Sequence, residues 1–336
     1  MKVEHIKDRE TFRTFSEAWD NFLFNSPQNT IFLTHEWFSS WWDSFSGDKY
    51  LEILCFRREN DEIAGLVPLM KEGKKLSFIA SSEVTDFCDF ITEKQGEEEF
   101  FSSFLEFVRK NYAHDVSLEF TALPHTSTSL VYLTQLAPSF GFSVSSSEVE
   151  KIAFLNLPNS YDLYLRSMKR KKRHELRRKK KKMESIKGVR RLTLKKKEEL
   201  EEYMRRFILL HSKSSPDKFS FWEKEGMPEF FQNLVSRLSP KGWVQLELLL
   251  LGEKIIAALL NFVYFNKLYF YNSAFDREFA ALSPGFYLFL SCIREAIEKG
   301  REVANFLRGG ERYKYDFGAH EGRILRLVLK SERRRR

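Results

Sequence analysis

The period of the apolar positions changes several times along the chain, and each change marks an element. Residues 10–24 and 34–45 repeat apolar side chains at helical spacing, with Thr34 at an N-cap position before Trp37, Phe38, Trp41 and Trp42. Residues 51–56 and 62–70 are short β-rich runs joined across a polar Asn60-Asp61 turn, and 75–80 adds a third strand. A helix over 97–112, a strand over 116–121, a helix over 127–137 and strand material over 142–157 complete the first half.

The second half repeats that order. A basic helix over 161–186 and a strand over 189–194 lead to helices over 197–213 and 228–238. A meander follows over 244–251, 255–264 and 268–274, then a helix over 284–299, a strand over 303–307 and a final strand over 323–329. The two meanders align, with Glu62-Ile63-Ala64-Gly65-Leu66-Val67 opposite Lys254-Ile255-Ile256-Ala257-Ala258-Leu259. Fixed-order repetition of this kind marks an internal duplication. Helix pairs feeding an antiparallel meander imply mixed α/β sheets layered with helices. The expectation is two tandem domains, 1–157 and 158–330, with a basic tail over 331–336.

At 336 residues and 43% hydrophobic content, the chain has material for two packed cores. Cys55, Cys88 and Cys292 lie far apart, with no metal-ligand spacing, and read as small buried hydrophobes in a reducing compartment. The first nine residues lack the apolar core of a signal peptide, and apolar runs such as 246–251 are too short to span a bilayer. These features point to the cytoplasm, free or peripheral at the inner membrane surface.

Net charge is +8, but residues 166–182 alone hold twelve Lys or Arg against one acid, Glu175. With Arg333–Arg336 also basic, the rest of the chain is mildly acidic. One basic helix on an acidic body does not make a general DNA-binding surface, and no specific DNA binding is expected. At low salt that helix would attract a polyanion such as tRNA or an anionic membrane surface.

Two segments carry candidate chemistry. Ser283-Pro284-Gly285 opens a helix with Ser as N-cap and Pro at the first helical position, so free amides there can hold an anionic group. Arg308-Gly309-Gly310-Glu311, followed by Tyr313 and Lys314, places a cation, a carboxylate and a second cation after a strand, where α/β sheets bind ligands. Arg308 suits an acceptor phosphate or carboxylate. Glu311 is either a base or the ion-pair partner of Arg308. Asp86, Asp89, Asp276, His35 and His211 are secondary candidates. Glu83, Asp86 and Asp89 lack a His or Cys at ligand spacing, and no metal is expected.

Several of these segments, in order, resemble the FemAB-like branch of the GNAT acyltransferases, including the acetyltransferase-like domains of cellulose and exopolysaccharide biosynthesis. They are Phe32-Leu33-Thr34-His35-Glu36-Trp37 with Trp41-Trp42, Leu66-Val67-Pro68-Leu69, Asp86-Phe87-Cys88-Asp89, the basic helix, His211, Ala274-Phe275-Asp276, Leu282-Ser283-Pro284-Gly285, and Arg308 to Lys314. The resemblance covers about residues 28–320. It implies two tandem GNAT-like acyl-CoA N-acyltransferase folds, with acetyl-CoA or another acyl-CoA as donor and a small-molecule or saccharide acceptor in cell-envelope or polysaccharide metabolism. It further implies a donor site at Ala274, Phe275, Ser283, Pro284 and Gly285, and substrate contacts from Gly309, Gly310, Asp276, His211, Asp86, Asp89 and His35. Tyr313-Lys314 matches the family's aromatic-Lys pair that stabilises the transfer intermediate, which makes Lys314 an oxyanion or phosphate clamp.

One departure is plain: the Arg or Gln followed by Gly-x-Gly or Gly-x-Ala, usual in acetyl-CoA users, is missing before the 284–299 helix. The donor therefore stays open between acyl-CoA and aminoacyl-tRNA. A third possibility is a binding protein that has kept the fold and lost the chemistry.

Overall fold

The computed structural model describes residues 1–80, 83–112 and 116–332; the basic run Arg333–Arg336 lies outside the described residues. The chain folds into two compact units, 1–151 with the segment from Gly322 onward, and 152–321.

The first unit opens on a strand that the alternation of Lys2–Ile6 did not announce, β1 (Lys2–Ile6). Helices α1 (Arg9–Thr14), α2 (Ser16–Asn25) and α3 (His35–Phe45) follow. The side chain of Thr34 accepts from the Trp37 N–H and starts α3, whose Trp37, Phe38 and Trp41 are buried. The meander is β2 (Tyr50–Arg57), β3 (Ile63–Glu72) and β4 (Lys75–Phe78), with the short β5 (Ile91–Thr92) beside β3. Then come α4 (Glu97–Asn111), β6 (Ser117–Pro124), α5 (Thr128–Leu136) and β7 (Phe142–Asn156). Strands β1 to β4 pair antiparallel in sequence order, and β4 then pairs parallel with β6. Gly65 in β3 is where α4 presses closest: a Cβ there would stand 2.2 Å from the Phe100 ring.

The second unit starts in the last residues of β7 and continues with α6 (Tyr161–Ser167) and α7 (Arg170–Glu184). The single helix expected over 161–186 is thus two, broken where Met168 takes an extended conformation. The break lets Met168 enter the core together with Leu176 and Met183, which lie on one face of α7. Next are β8 (Val189–Leu194), α8 (Lys197–Ser214), the unexpected α9 (Pro216–Trp222) and α10 (Met227–Leu238). The meander β9 (Val244–Leu251), β10 (Lys254–Tyr264) and β11 (Lys267–Phe275) leads to α11 (Pro284–Glu298), β12 (Val303–Arg308) and α12 (Arg312–Asp316). Strands β8 to β11 pair antiparallel in order, β11 pairs parallel with β12, and β12 pairs antiparallel with β7.

The two units therefore share one plan: four antiparallel strands, then a parallel step to a fifth across a helix. The last strand, β13 (His320–Ser331), departs from the expected division at 157/158. It pairs with β6 of the first unit, Leu325 opposite Leu123 and Leu329 opposite Leu118. β6 has an open edge after its parallel step, and β13 fills it; nothing local in the sequence states which edge a strand will join.

Candidate active site

In the second unit, β11 and β12 pair only over Lys267–Tyr269 and Val303–Asn305, then part. A bulge between Asn305 and Leu307 bends β12 away. Leu307 holds φ 60°, and its N–H donates to Asn305 Oδ1 at 2.8 Å. Phe270, Phe289 and Phe306 close the angle between the strands, with ring centroids 4.8 to 5.7 Å apart. Beyond them β11 runs on, and a cleft of about 320 Å³ opens against the start of α11. Its lining includes Ser273, Ala274, Phe275, Ser283, Pro284, Gly285, Phe286, Tyr313 and Lys179. The five residues read from sequence as a donor site thus line one cavity.

The helix start differs in detail from the expectation. Ser283 occupies the N-cap position of α11, but at φ 55°, and its side chain caps nothing. It closes the preceding 3₁₀ turn Arg277–Leu282 through its N–H to Ala280 O at 2.9 Å. Pro284 has no N–H to give, and the first helical bond runs from Tyr287 N to Ser283 O. The N–H groups of Gly285 and Phe286 therefore have no partner among the described residues. Lys179 of α7 brings its ammonium to 4.0 Å from the Phe286 ring centre, adding positive charge to the positive end of the α11 dipole.

Tyr313 stands at the other side of the cleft, its hydroxyl hydrogen-bonded to the Ser273 side chain. Burial pushes its pKa up, and the nearby Glu311 charge adds to the shift, so the phenol stays protonated. Lys218 of α9 donates to the Ser273 carbonyl at 2.5 Å. Burial lowers the Lys218 pKa, with Glu311 opposing. His211, at the end of α8, accepts the Trp222 indole N–H at Nδ1, 3.0 Å away, which leaves its proton on Nε2. Burial first and the Lys218 charge second bring His211 down to about 3, so it is neutral at physiological pH.

Lys314 does not face the cleft with a free ammonium. Its Nζ donates to the Arg308 carbonyl, to the Gly309 carbonyl at 3.1 Å, and to Glu311 Oε2 at 2.9 Å. An ammonium has three protons, and all are used. In this structure Lys314 clamps the main chain of the β12–α12 turn, and Glu311 pairs with it. The turn itself needs Gly309 at φ 102°, where a Cβ would also strike the Glu311 carboxylate. Gly310 is exposed and Arg308 half-buried at the strand end. Asp276 caps the 3₁₀ turn and pairs with Lys254 at 2.9 Å, so it serves the loop under the cleft rather than the cleft.

In the first unit His35 donates from Nε2 to Phe12 O at 2.8 Å and packs on the Phe12 ring. Asp89 accepts from Ser129 Oγ at 2.6 Å and from Phe90 N at 2.8 Å, and burial raises it to about 6. Both hold the core of that unit, and Asp86 is half-buried in the same loop as Asp89. At the parallel step there, β4 ends at Phe78, and Phe90 and Phe120 pack against that ring at 5.3 and 4.9 Å. Its following helix, α4, begins with Glu97, Glu98 and Glu99, which repel anions from the helix start.

Lys218 was not singled out from the sequence. The helix that carries it, α9, was itself not expected, and only the fold brings Lys218 to Ser273.

An uncapped helix start beside splayed parallel strands is the observation that the family comparison meets. Residues 170–315 match the acetyltransferase (GNAT) domain family. That span falls wholly within the second unit. No curated protein matches significantly. Among solved structures, FemX superposes with a TM-score of 0.64 at 13% identity, covering 97% of each chain. The C-terminal domain of a protein described as a lysylphosphatidylglycerol synthetase from Agrobacterium fabrum gives 0.59 at 13%, covering 95% of this chain and 92% of that one. A tandem GNAT protein from the clavulanic acid biosynthesis pathway gives 0.51 at 10%, covering 99% and 100%. At such identities the likeness is one of fold: tandem GNAT-like units of mixed α/β structure. Among the described residues, no helix is long and apolar enough to cross a membrane.

Proposed function

We propose that the second, GNAT-like unit is an acyltransferase that takes its acyl group from acyl-CoA and passes it to an amine or hydroxyl. One observation carries this reading: the unpartnered amides of Gly285 and Phe286 and the protonated hydroxyl of Tyr313 line a single cleft. The helix start and Lys179 suit the donor's pyrophosphate. Ala274, Phe275 and Phe286 offer an apolar wall to the donor's chain. Tyr313 donates its proton to the leaving sulfur as the acyl carbon–sulfur bond breaks; the raised pKa means that this proton is present at neutral pH.

The first unit, with glutamates at the corresponding helix start and aromatic rings filling the strand angle, is assigned no donor. An envelope or polysaccharide acceptor remains part of the proposal through the resemblance alone. The test is thiol release from acetyl-CoA in the presence of a panel of amines, amino acids and sugars. Acceptor-dependent release that falls at least tenfold in Tyr313→Phe supports the reading. Release that is indifferent to Tyr313, or absent with every acceptor and acyl chain length, removes it.

A second reading has its own observation. α7 presents Arg170, Lys171, Arg177, Arg178, Lys181 and Lys182 to solvent, while Lys172 reaches the Tyr315 carbonyl at 2.5 Å and Lys182 the Ala281 carbonyl at 2.9 Å. A basic face so close to the cleft suits an aminoacyl-tRNA donor. That reading requires tRNA affinity falling steeply with salt and weakened by charge reversal on α7.

A further inference from the structure

Resting on the acyl-transfer reading above, we propose that Lys218 is the base of the second unit: its amine takes the proton from the acceptor's nucleophilic nitrogen or oxygen as that atom attacks the donor's acyl carbon.

The argument begins with position. Ser215 caps α9 by accepting from the Lys218 N–H at 3.3 Å, and Pro216 fixes the first turn, so the Lys218 backbone is held by its own helix start. From there the side chain crosses to β11 and ends 2.5 Å from Ser273 O. Ser273 lines the cleft, and its hydroxyl holds Tyr313. Lys218 and the phenol proposed as acid thus share Ser273 as a neighbour, Lys218 at its carbonyl and Tyr313 at its side chain. Acid and base on either side of one acyl carbon is the arrangement that transfer to a neutral product requires.

The surroundings are those of a base. Lys218 is half-buried, and its one hydrogen bond occupies one of three ammonium protons. The groups facing it are His211 from α8, kept neutral first by its burial, and Glu311 at the start of α12. Glu311 is already bound to Lys314 at 2.9 Å and its side chain is 57% exposed, so it holds Lys218 in the charged form only weakly. Burial is the larger of the two influences, and it lowers the Lys218 pKa from its ordinary value.

The step balances. A bond forms between the nucleophile and the acyl carbon, and the nucleophile's proton passes to Lys218 Nζ. The carbon–sulfur bond breaks, and the thiolate takes the Tyr313 proton. Lys218 returns its proton to Tyr313 through solvent, and the enzyme is restored.

The test is competitive labelling of the whole protein with acetic anhydride across pH 6–11, read lysine by lysine by mass spectrometry. It needs no substrate. Lys218 is expected to become reactive at least one pH unit below exposed Lys213, and saturating desulfo-CoA is expected to slow its labelling. The second arm uses acetyl-CoA with the best acceptor amine. Lys218→Met is expected to lose at least a hundredfold in kcat with KM for acetyl-CoA little changed, and Lys218→Arg to move the pH profile to the alkaline side. Thermal unfolding of both variants is recorded alongside.

If Lys218 titrates with the exposed lysines, or a folded Lys218→Met keeps wild-type kcat and pH profile, the proposal is overturned. If Lys218 titrates low while no acetyl-CoA binds, the amine stands as a poised base and the donor assignment is what fails.

Discussion

Lys314 Nζ lies 2.9 Å from Glu311 Oε2, with the lysine side chain 3% exposed and the glutamate side chain 57% exposed. The pair is asymmetric: Lys314 is the buried partner, and its other two protons go to the Arg308 and Gly309 carbonyls. Lys314→Met leaves those carbonyls without a donor, at a cost of about 1–3 kcal/mol. Glu311→Gln removes only the exposed partner and costs less, about 0–1 kcal/mol. Urea unfolding of the two variants checks the order; equal losses would contradict it.

His211 gives the second unit an acid-sensitive element. Its folded pKa, about 3, lies below the ordinary value of 6.5. Between those values the unfolded chain binds the extra proton, so the stability from His211 is full above pH 6.5 and is lost as pH falls towards 3. Asp89, raised to about 6 in the first unit, works with the opposite sign: its contribution is full below pH 3.8 and lost as pH rises through 6. The His211 contribution therefore has to be read as a difference. His211→Gln is expected to flatten the fall in stability between pH 6.5 and 4 relative to wild type, by up to about 1.4 kcal/mol per pH unit. Parallel curves for the two proteins would contradict the burial of a neutral imidazole.

Gly285→Asp separates binding from folding. The position has ordinary helical backbone, and a Cβ would meet nothing nearer than the Phe275 ring at 3.9 Å. An aspartate in the first turn suits the helix dipole, so thermal stability should hold or rise slightly. The same carboxylate repels a donor phosphate from the Gly285 and Phe286 amides, and affinity for CoA is expected to fall at least tenfold.

Gly65→Ala probes the first unit's core. The added Cβ would fall 2.2 Å from a ring carbon of Phe100, a side chain 1% exposed and packed against Phe56 and Phe90. The expected loss is about 1–3 kcal/mol, measured by denaturant unfolding.

The meanders were legible in the sequence because β2, β3, β9 and β10 are nearly continuous apolar runs punctuated by Asn60-Asp61 and Gly252-Glu253 turns. The helix break at Met168 was not, since the residues around it are good helix formers and only the core that receives Met168 decides the turn. The destination of β13 was hidden for a related reason: its pattern specifies a strand and leaves its partner open. At the site, the α11 start was readable from Ser283-Pro284-Gly285, although Ser283 ends the previous turn instead of capping the helix. The bonds of Lys314 to the Arg308 and Gly309 carbonyls were not legible, because they depend on the φ of 102° at Gly309, which folds the chain back over the lysine. Lys218 carried no local mark at all, its importance arising from Ser273 and Tyr313, which are distant in sequence.

The central claim is that the α11 start in the second unit holds a CoA donor. The direct measurement is calorimetric titration of wild-type protein and Gly285→Asp with acetyl-CoA, with a control that reverses the charge of the exposed α7 residues Arg177, Arg178 and Lys181 and keeps Lys179. The account predicts saturable 1:1 binding to wild type, a loss of at least tenfold in Gly285→Asp, and little dependence on α7. No binding of any CoA thioester, with salt-sensitive binding of aminoacyl-tRNA that the α7 variant abolishes, would contradict it.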